Sequence, residues 1–182
     1  GHADGNGQVG EHNRSGGGLF LKATKSANPS IKNCVFIDNY AKDGGAVYVN
    51  ARNGATASPT FKNCNFEANN ADFDGGAVNL DGRAKGQNNT VFSGCNFNGN
   101  KGNYGGAVFC YGLNGESVPN LTNCKMSENS AYVKGGAVFQ LTTDVFGKMD
   151  VQKVAFSSNS ALDHETDNFT QYSVSTTEFA SK

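Results

Sequence analysis

Residues 61–78 read FKNCNFEANNADFDGGAV, and both halves of this stretch recur along the chain. The closing half, Gly-Gly-Ala-Val, occurs four times, with start-to-start steps of 31, 30 and 30 residues. Its copies begin at Gly44, Gly75, Gly105 and Gly135. A degenerate copy, Gly17-Gly18-Leu19-Phe20, lies 27 residues before the first intact one. A repeat of this length predicts a stack of equivalent structural units.

The opening half is an apolar residue followed by Asn-Cys and then Phe-x-x-Asn. The apolar residue before Asn-Cys is Ile31, Phe61, Phe92, Leu121 and Val151 in successive copies. The Phe position of Phe-x-x-Asn is occupied by Phe36, Phe66, Phe97, Met126 and Phe156, and the last position by Asn39, Asn69, Asn100, Asn129 and Asn159. Chance does not produce five copies at one spacing, so the pattern reflects structure.

The residue types favour strands over helices. Each unit contains two adjacent glycines and many asparagines, which are poor helix formers. In residues 61–66 the apolar residues fall at i, i+3 and i+5, which predicts two short alternating strands with a bend between them. A third short strand is predicted after each glycine pair. Three short strands and three turns in about 30 residues form one coil of a β-solenoid.

We therefore predict an all-β fold, a right-handed single-stranded parallel β-helix of five to six coils. The hand follows from the general rule for parallel crossovers. The chain is expected to be one domain, 1–182, with an N-terminal segment (1–16), repeat coils (17–160) and an irregular C-terminal coil or assembly segment (161–182).

Stacking explains the repeated residues. Neighbouring coils lie about 4.8 Å apart, so each residue sits over its equivalent. The valines of Gly-Gly-Ala-Val are expected to form an inward column that Phe20 continues. The five asparagines are expected to form a structural ladder at a turn, because Asn tolerates the left-handed conformation and stacked amides can hydrogen-bond along the axis.

Composition excludes several classes of function. The 15 Lys and Arg residues against 16 Asp and Glu residues give a net charge of −1, which gives no electrostatic case for nucleic acid. No apolar run is long enough to span a bilayer. No signal peptide is visible, and the chain begins Gly1-His2-Ala3, so we expect either that a leader has been removed or that the sequence is a fragment.

The paired motifs Gly-Gly-Ala-(Ile/Leu/Val) and Phe-x-x-Asn resemble the repeats of the chlamydial polymorphic outer membrane proteins and of adhesin-like β-helix proteins. The resemblance covers residues 16–160. It implies surface display and adhesion, with the repeated residues acting as scaffold.

Four of the five cysteines, Cys34, Cys64, Cys95 and Cys124, share one repeat position. They are interpreted as a column of buried thiols that act as small apolar residues. Disulfides between neighbouring coils are the alternative, although parallel Cβ vectors make their geometry poor. A line of ligands does not suit the tetrahedral geometry of zinc. Cys110 lies apart, in the strand after the third intact glycine pair, and is predicted to belong to the core.

Candidate active-site residues are few. Asp43 and Asp74 occupy equivalent positions on neighbouring coils, with Lys42 and Asp72 close by. A bound cation would relieve their repulsion, but solvated turn residues are the plainer interpretation. Arg52 and Arg83 form a second equivalent pair, which we expect on another edge. The three histidines, His2, His12 and His164, lie near the termini. We predict no catalytic residue, no metal site and no cofactor.

The longest variable segments fall at one place in the coil and are expected to line one edge, where a ligand could bind. They are Lys22–Ser30, Asn50–Thr60, Asp81–Thr90, Tyr111–Asn120 and Thr142–Asp150. Asn-x-Ser/Thr sequons make Asn120, Asn13 and Asn168 candidate glycosylation sites.

Unpaired strand edges at the two ends of a solenoid are templates for further pairing. We therefore expect a non-enzymatic extracellular or cell-surface protein, adhesin-like or a subunit of a head-to-tail fibre. Its expected partners are other copies of itself, glycans or host surface proteins. The alternative is a carbohydrate-active β-helix enzyme, a lyase or hydrolase, or a fragment of one.

Overall fold

The structure, a computed structural model, describes residues 1–3, 14–143, 147, 149, 151 and 153–174. Over these residues the chain forms about five turns of a β-solenoid, and its strands pair in parallel with their equivalents one coil away. Partners such as Phe66 and Phe97 are about one repeat apart in sequence. The predicted all-β parallel solenoid is therefore confirmed.

Each complete coil contributes one strand to each of five sheets, here called A to E in chain order. Sheet A contains β1 (His2–Ala3), β6 (Tyr40–Ala41), β11 (Asn70–Ala71), β16 (Lys101–Tyr104), β21 (Ser130–Lys134) and β24 (Ser160–Ala161). Sheet B contains β2 (Leu19–Lys22), β7 (Val47–Asn50), β12 (Val78–Asp81), β17 (Val108–Tyr111), β22 (Val138–Thr143) and β25 (Phe169–Val174). Sheet C contains β3 (Ser26–Ala27), β8 (Thr56–Ala57), β13 (Gln87–Asn88) and β18 (Glu116–Ser117). Sheet D contains β4 (Ser30–Lys32), β9 (Thr60–Lys62), β14 (Val91–Ser93) and β19 (Asn120–Thr122). Sheet E contains β5 (Val35–Ile37), β10 (Asn65–Glu67), β15 (Asn96–Asn98), β20 (Cys124–Ser127) and β23 (Val154–Ser157).

The expectation of three strands per coil is wrong, because a coil has five. The three predicted strands are those of sheets B, D and E. The additional ones belong to sheets A and C, and most are two residues long, such as β11 and β13. A two-residue strand is too short to show an alternating pattern in the sequence.

The predicted bend between the strands of sheets D and E is present. The residue that makes it has a positive φ in four coils, including Asn63 at 52° and Gly94 at 63°. Asparagine and glycine are the residues that tolerate this conformation best. The asparagine of each Asn-Cys pair is therefore a turn residue.

Aromatic columns fill the core between sheets D and E. Phe66 stacks on Phe97 at 4.6 Å between ring centroids, and Phe61 stacks on Phe92 at 5.2 Å. The two columns meet edge to face, and all four rings are fully buried. Burying a side chain of this size stabilises the fold by about 1.5–3 kcal/mol.

The valine column lies in sheet B, but Phe20 does not continue it. Leu19 pairs with Val47, whereas Phe20 pairs with Tyr48 on the outer face. The degenerate copy is thus shifted by one residue from the alignment read from the sequence. Gly16, at φ 67°, occupies the position that Gly44 occupies in the next coil.

The five repeated asparagines form a hydrogen-bonded ladder at the junction of sheets E and A. Nδ2 of Asn69 donates to Oδ1 of Asn100 at 2.9 Å and to the carbonyl of Phe36 at 3.0 Å. The same bonds join Asn100 to Asn129 and Asn129 to Asn159. The expected left-handed conformation of these asparagines is wrong, because the residue before each one adopts it, as Ala68 does at φ 51°.

Helix is almost absent from the described residues, which contain one 3-10 segment, His164–Thr166. None of their helices is long and apolar enough to cross a bilayer. In the segment expected to be irregular, β25 pairs with β22 over six residues and extends sheet B.

Candidate functional site

The outer face of sheet B is lined by aromatic side chains along most of its length, but in one coil a polar side chain takes their place. Side chains alternate across a strand, so the second and fourth residues of each sheet B strand point away from the core. The second positions carry Phe20, Tyr48, Asn79, Phe109 and Phe139. Phe20 stacks on Tyr48, and Phe109 stacks on Phe139. In β12 both outward residues, Asn79 and Asp81, are polar, and Asn79 interrupts this aromatic row.

A hollow of about 280 Å³ opens over this interruption. Its lining residues come from three successive sheet B strands, β7, β12 and β17, and from the turns that flank the first two. They are Lys42, Asp43, Tyr48, Arg52, Phe73, Asp74, Asn79, Arg83 and Tyr111. We call this hollow the cleft.

Asp81 organises one side of the cleft, although it is itself completely buried. Its Oδ1 accepts from Nε of Arg83 at 2.9 Å, and its Oδ2 accepts from Nη2 of the same residue at 2.6 Å. The hydroxyl of Tyr48 donates to Oδ2 at 2.7 Å. Burial raises the pKa of Tyr48, and the adjacent Asp81 carboxylate raises it further, so this hydroxyl stays protonated. The paired groups form a rigid wall.

The expectation that Arg52 and Arg83 lie on another edge is wrong. Each follows an Asx-type turn that bends the chain back over sheet B. The backbone N–H of Arg52 donates to Oδ1 of Asn50 at 3.0 Å, and that of Arg83 donates to Oδ1 of Asp81 at 3.1 Å. The Arg83 guanidinium then covers the ring of Tyr111 at 3.8 Å. Nε of Arg52 lies 3.8 Å from Oδ2 of Asp81.

Asp43 and Asp74 lie on the opposite side of the cleft, on successive coils as predicted. The backbone N–H of Asp74 bonds to the side chain of Asp43, and that of Tyr104 bonds to the side chain of Asp74. Burial raises the pKa of both carboxyls. For Asp74 the neighbouring Asp43 charge adds to this effect, and the pKa is raised to about 7. The pair therefore holds protons more tightly than isolated aspartates do.

Lys42 and Phe73 form the rim beside this pair. The Lys42 ammonium lies 4.8 Å from the ring centre of Phe73, whose exposure is 49%. Asp72 does not join the cleft. It points elsewhere and accepts a 2.6 Å hydrogen bond from the hydroxyl of Tyr40.

Five of these residues were missed in the sequence, namely Tyr48, Phe73, Asn79, Asp81 and Tyr111. The sequence did contain a signal for this site. The second outward position of the strand after Gly-Gly-Ala-Val changes its residue type from coil to coil, being Asn50, Asp81, Tyr111 and Leu141 in successive coils. The first three of these residues begin variable segments, so one wall of the cleft belongs to the variable edge.

The cysteines are free thiols inside the solenoid. Cys95, for example, donates from Sγ to the carbonyl of Phe61 in the preceding coil at 3.4 Å. Burial raises the pKa of Cys64 and Cys110, which disfavours the reactive thiolate. Cys64, Cys95 and Cys124 lie in the hydrophobic core and Cys34 packs against it, so the column packs as small apolar residues.

The remaining predicted residues lie away from the cleft. His2 is exposed and packs on Tyr40 at 4.7 Å between ring centroids, His164 lines a shallow hollow on sheet A, and His12 lies outside the described residues. Among the described residues, no group of three or more His, Cys, Asp or Glu side chains could hold a metal ion.

The candidate glycosylation sites differ in their surroundings. Asn120 is exposed on β19, and its Oδ1 accepts from Thr122 at 2.7 Å. Asn168 is exposed, but its Oδ1 accepts from the last ladder residue, Asn159, at 3.2 Å. Asn13 lies outside the described residues. Glycosylation stays a prediction at all three positions.

Comparison with known proteins gives one match. Residues 33–50 match the family model described as the Chlamydia polymorphic membrane protein repeat. These residues contain one Asn-Cys, Phe-x-x-Asn and Gly-Gly-Ala-Val unit, so the resemblance predicted from those motifs is confirmed there. No curated protein and no solved structure matches the chain. The repeat and the solenoid fold together fit a surface repeat protein.

Proposed function

We propose that the chain is a non-enzymatic, adhesin-like surface protein whose solenoid presents the cleft to a ligand outside the cell. The observation that carries the proposal is the break in the outer aromatic row of sheet B, where Asn79 takes the place of an aromatic residue next to the buried carboxylate of Asp81. The repeated residues are accounted for by stacking, whereas these two are not. The repeat match supports the surface location.

The charges in the cleft favour binding over catalysis. Arg83 donates two side-chain hydrogen bonds to Asp81. This ion pair therefore stabilises the wall of the cleft and is not available for proton transfer. Asp43 and Asp74 accept backbone N–H groups of the next coil, which fixes their orientation. A fixed polar surface suits recognition of a ligand.

Surface display is tested on the organism that makes the protein. An antibody raised against the purified chain should label intact cells as strongly as permeabilised cells. Labelling that requires permeabilisation would contradict the surface location. Beads coated with the chain should also adhere to cells or glycans, and bare beads provide the control.

The alternative function, a carbohydrate-active enzyme, is favoured by the Asp43 and Asp74 pair. Two carboxyl groups whose pKa values are shifted can serve as general acid and base. The test is incubation with acidic and neutral polysaccharides, followed by measurement of new reducing ends or unsaturated products. Activity that disappears in the Asp43→Asn and Asp74→Asn variants would establish the enzyme and overturn our proposal.

Head-to-tail assembly is a second part of the proposal, and the two ends of the core support it. Ile31 and Phe36 in the first coil are half-buried, as are Phe156 and Phe169 in the last, whereas the equivalent phenylalanines between them are fully buried. Phe36 and Phe156 belong to one column, so the last coil of one copy could stack on the first coil of the next.

Sedimentation and electron microscopy at rising concentration test this assembly. Linear oligomers are expected for the unmodified chain, and fewer for Ile31→Lys, which places a charge on the half-buried end. Val91→Lys, at a partly exposed outward position of the central strand β14, provides the control. Monomers at every concentration would contradict the assembly.

A further inference from the structure

The floor of the cleft holds a polar atom that the protein itself leaves unbonded. Oδ1 of Asn79 is buried and has no hydrogen-bond partner among the described residues. The whole residue is only 3% exposed. A buried acceptor without a partner costs about 1–3 kcal/mol, so a donor supplied from outside would be favourable.

The same side of the cleft has further capacity to accept hydrogen bonds. Each carboxylate can accept about four hydrogen bonds. The side chains of Asp43 and Asp74 receive one backbone N–H each from the neighbouring coil. Their raised pKa values show that the surroundings do not supply enough donors or positive charge to offset burial.

Charge in the cleft is nearly balanced. Lys42, Arg52 and Arg83 supply three positive groups, and Asp43, Asp74 and Asp81 supply three carboxyl groups, of which Asp74, with its pKa raised to about 7, is partly protonated near neutral pH. A strongly charged ligand would therefore gain little net attraction. A ligand rich in hydroxyl groups is better matched, because each hydroxyl both donates and accepts.

The size and the rim of the cleft also favour a small ligand rich in hydroxyl groups. The volume of about 280 Å³ is near the lower end of small-molecule sites, which run from about 300 to 1,000 Å³. The exposed ring of Phe73 offers an apolar face at the entrance. Lys42 lies over that ring and can donate to a ligand hydroxyl.

We propose that the cleft is a binding site for an uncharged saccharide of one or two rings, whose hydroxyls donate to Asp43, Asp74 and Asn79. Arg52 and Lys42 donate to other oxygens of the same ligand. This inference rests on the proposed function and names the class of ligand for the cleft.

Saturation-transfer NMR and titration calorimetry on the full chain provide the test. The neutral probes are methyl glucoside, methyl galactoside, methyl mannoside and their disaccharides. Glucosamine, galacturonic acid and calcium chloride probe an ammonium, a carboxylate and a metal ion. Binding of at least one neutral probe is expected, and Asp74→Ala should weaken it about tenfold or more, which corresponds to about 1.4 kcal/mol.

Asp72→Ala is the matched control, because Asp72 lies in the same turn but outside the cleft. Phe73→Ala is a second test variant, since an exposed residue can be replaced without unfolding the chain. It should weaken binding through loss of the rim contact. Circular dichroism checks that each variant is folded.

Three results would overturn the inference: no neutral probe binds, only glucosamine or calcium binds, or the cleft variants bind as well as Asp72→Ala. None of these results changes antibody labelling of intact cells, which tests the proposed function separately. Cleavage of a disaccharide in the same spectra would overturn the non-enzymatic function but leave the site in place.

Discussion

The hydroxyl of Tyr48 donates a hydrogen bond of 2.7 Å to Oδ2 of Asp81, and this bond joins two successive coils on the outer face of sheet B. Asp81 is completely buried, and the Arg83 guanidinium supplies its counter-charge. The wall of the cleft therefore depends on one carboxylate that contacts the side chains of Tyr48, Arg83 and Arg52.

Replacing Asp81 by alanine should destabilise the protein strongly. The change leaves Arg83 without its counter-charge and the buried Tyr48 hydroxyl without this acceptor, so we expect a loss of about 3 kcal/mol in the free energy of unfolding. Urea denaturation measures it. Asp72→Ala also removes a carboxylate that accepts a tyrosine hydroxyl, but an exposed one, and should cost about 0.5 kcal/mol or less. Equal losses would contradict the structural role of Asp81.

The asparagine ladder should be highly sensitive to truncation. Asn69→Ala removes the acceptor of Asn39 and the donor to Asn100 and Phe36, and so leaves several buried polar groups unbonded. At about 1–3 kcal/mol for each such group, the loss should exceed about 3 kcal/mol. Asn70→Ala, at the exposed neighbouring position, serves as the matched control in thermal or urea unfolding. A small effect of Asn69→Ala would show that water replaces the ladder bonds.

Stability should fall as the pH rises toward and above 7, because of Asp74. Its pKa is raised to about 7 in the folded protein, above the value of about 3.9 expected for the unfolded chain. The folded state therefore binds the extra proton, and its contribution is full below about pH 4 and is lost by pH 8. The pKa of Asp43 is shifted in the same direction.

The Asp74→Asn variant should flatten this dependence. It should be more stable than the unmodified chain at pH 8, by about 1 kcal/mol after allowance for partial exposure to water, and little different at pH 5. Urea denaturation across this range provides the measurement, with Asp72→Asn as control. Parallel pH profiles for Asp74→Asn and the unmodified chain would exclude the raised pKa.

Gly76 should not tolerate a side chain. A Cβ at this position would lie 2.1 Å from the carbonyl oxygen of Gly106 in the next coil, so Gly76→Ala would push the coils apart. We expect loss of folding, or destabilisation by more than about 3 kcal/mol. At Gly54 an added Cβ would have no atom within 4 Å, so the only obstacle to a side chain is the backbone φ of 77°. Gly54→Ala should therefore lower the free energy of unfolding by about 1–2 kcal/mol. Comparable stability of the two variants would contradict the close approach.

Thiol labelling should distinguish the first coil from the others. Cys34 is partly exposed, whereas Cys64, Cys95, Cys110 and Cys124 are buried. Iodoacetamide should therefore modify Cys34 first in the native protein, and mass spectrometry of peptides locates the label. Rapid labelling of Cys110 would contradict its burial.

The periodic part of the fold could be predicted because each coil repeats the same physical constraints. Phe66 must stack on Phe97, and the identity of the two residues reveals the contact without any structure. The first coil was misaligned by one residue because Gly16, Gly17 and Gly18 read equally well as the glycine pair. Only the pairing of Leu19 with Val47 resolves the register.

The cleft was harder to predict because it depends on turns that do not repeat. The long side chain of Arg83 reaches Asp81 only after the Asx turn reverses the chain, and a spacing of eight residues from the glycine pair suggested a different edge. Asp43 and Asp74 were found because they share a repeat position. Asn79 occupies a repeat position as well, but its importance shows only against Tyr48 and Phe109, the aromatic residues that flank it on the outer face.

The asparagine ladder has a consequence for how such a protein changes in length over evolution. Asn100 bonds to Asn69 on one side and to Asn129 on the other through the same atoms that each of its neighbours uses. A duplication or deletion of one whole unit of about 30 residues therefore leaves every remaining amide bonded, whereas a partial unit would shift the register and break the series. Gene rearrangement can lengthen or shorten the molecule in whole coils, so natural variants are expected to differ by multiples of the repeat.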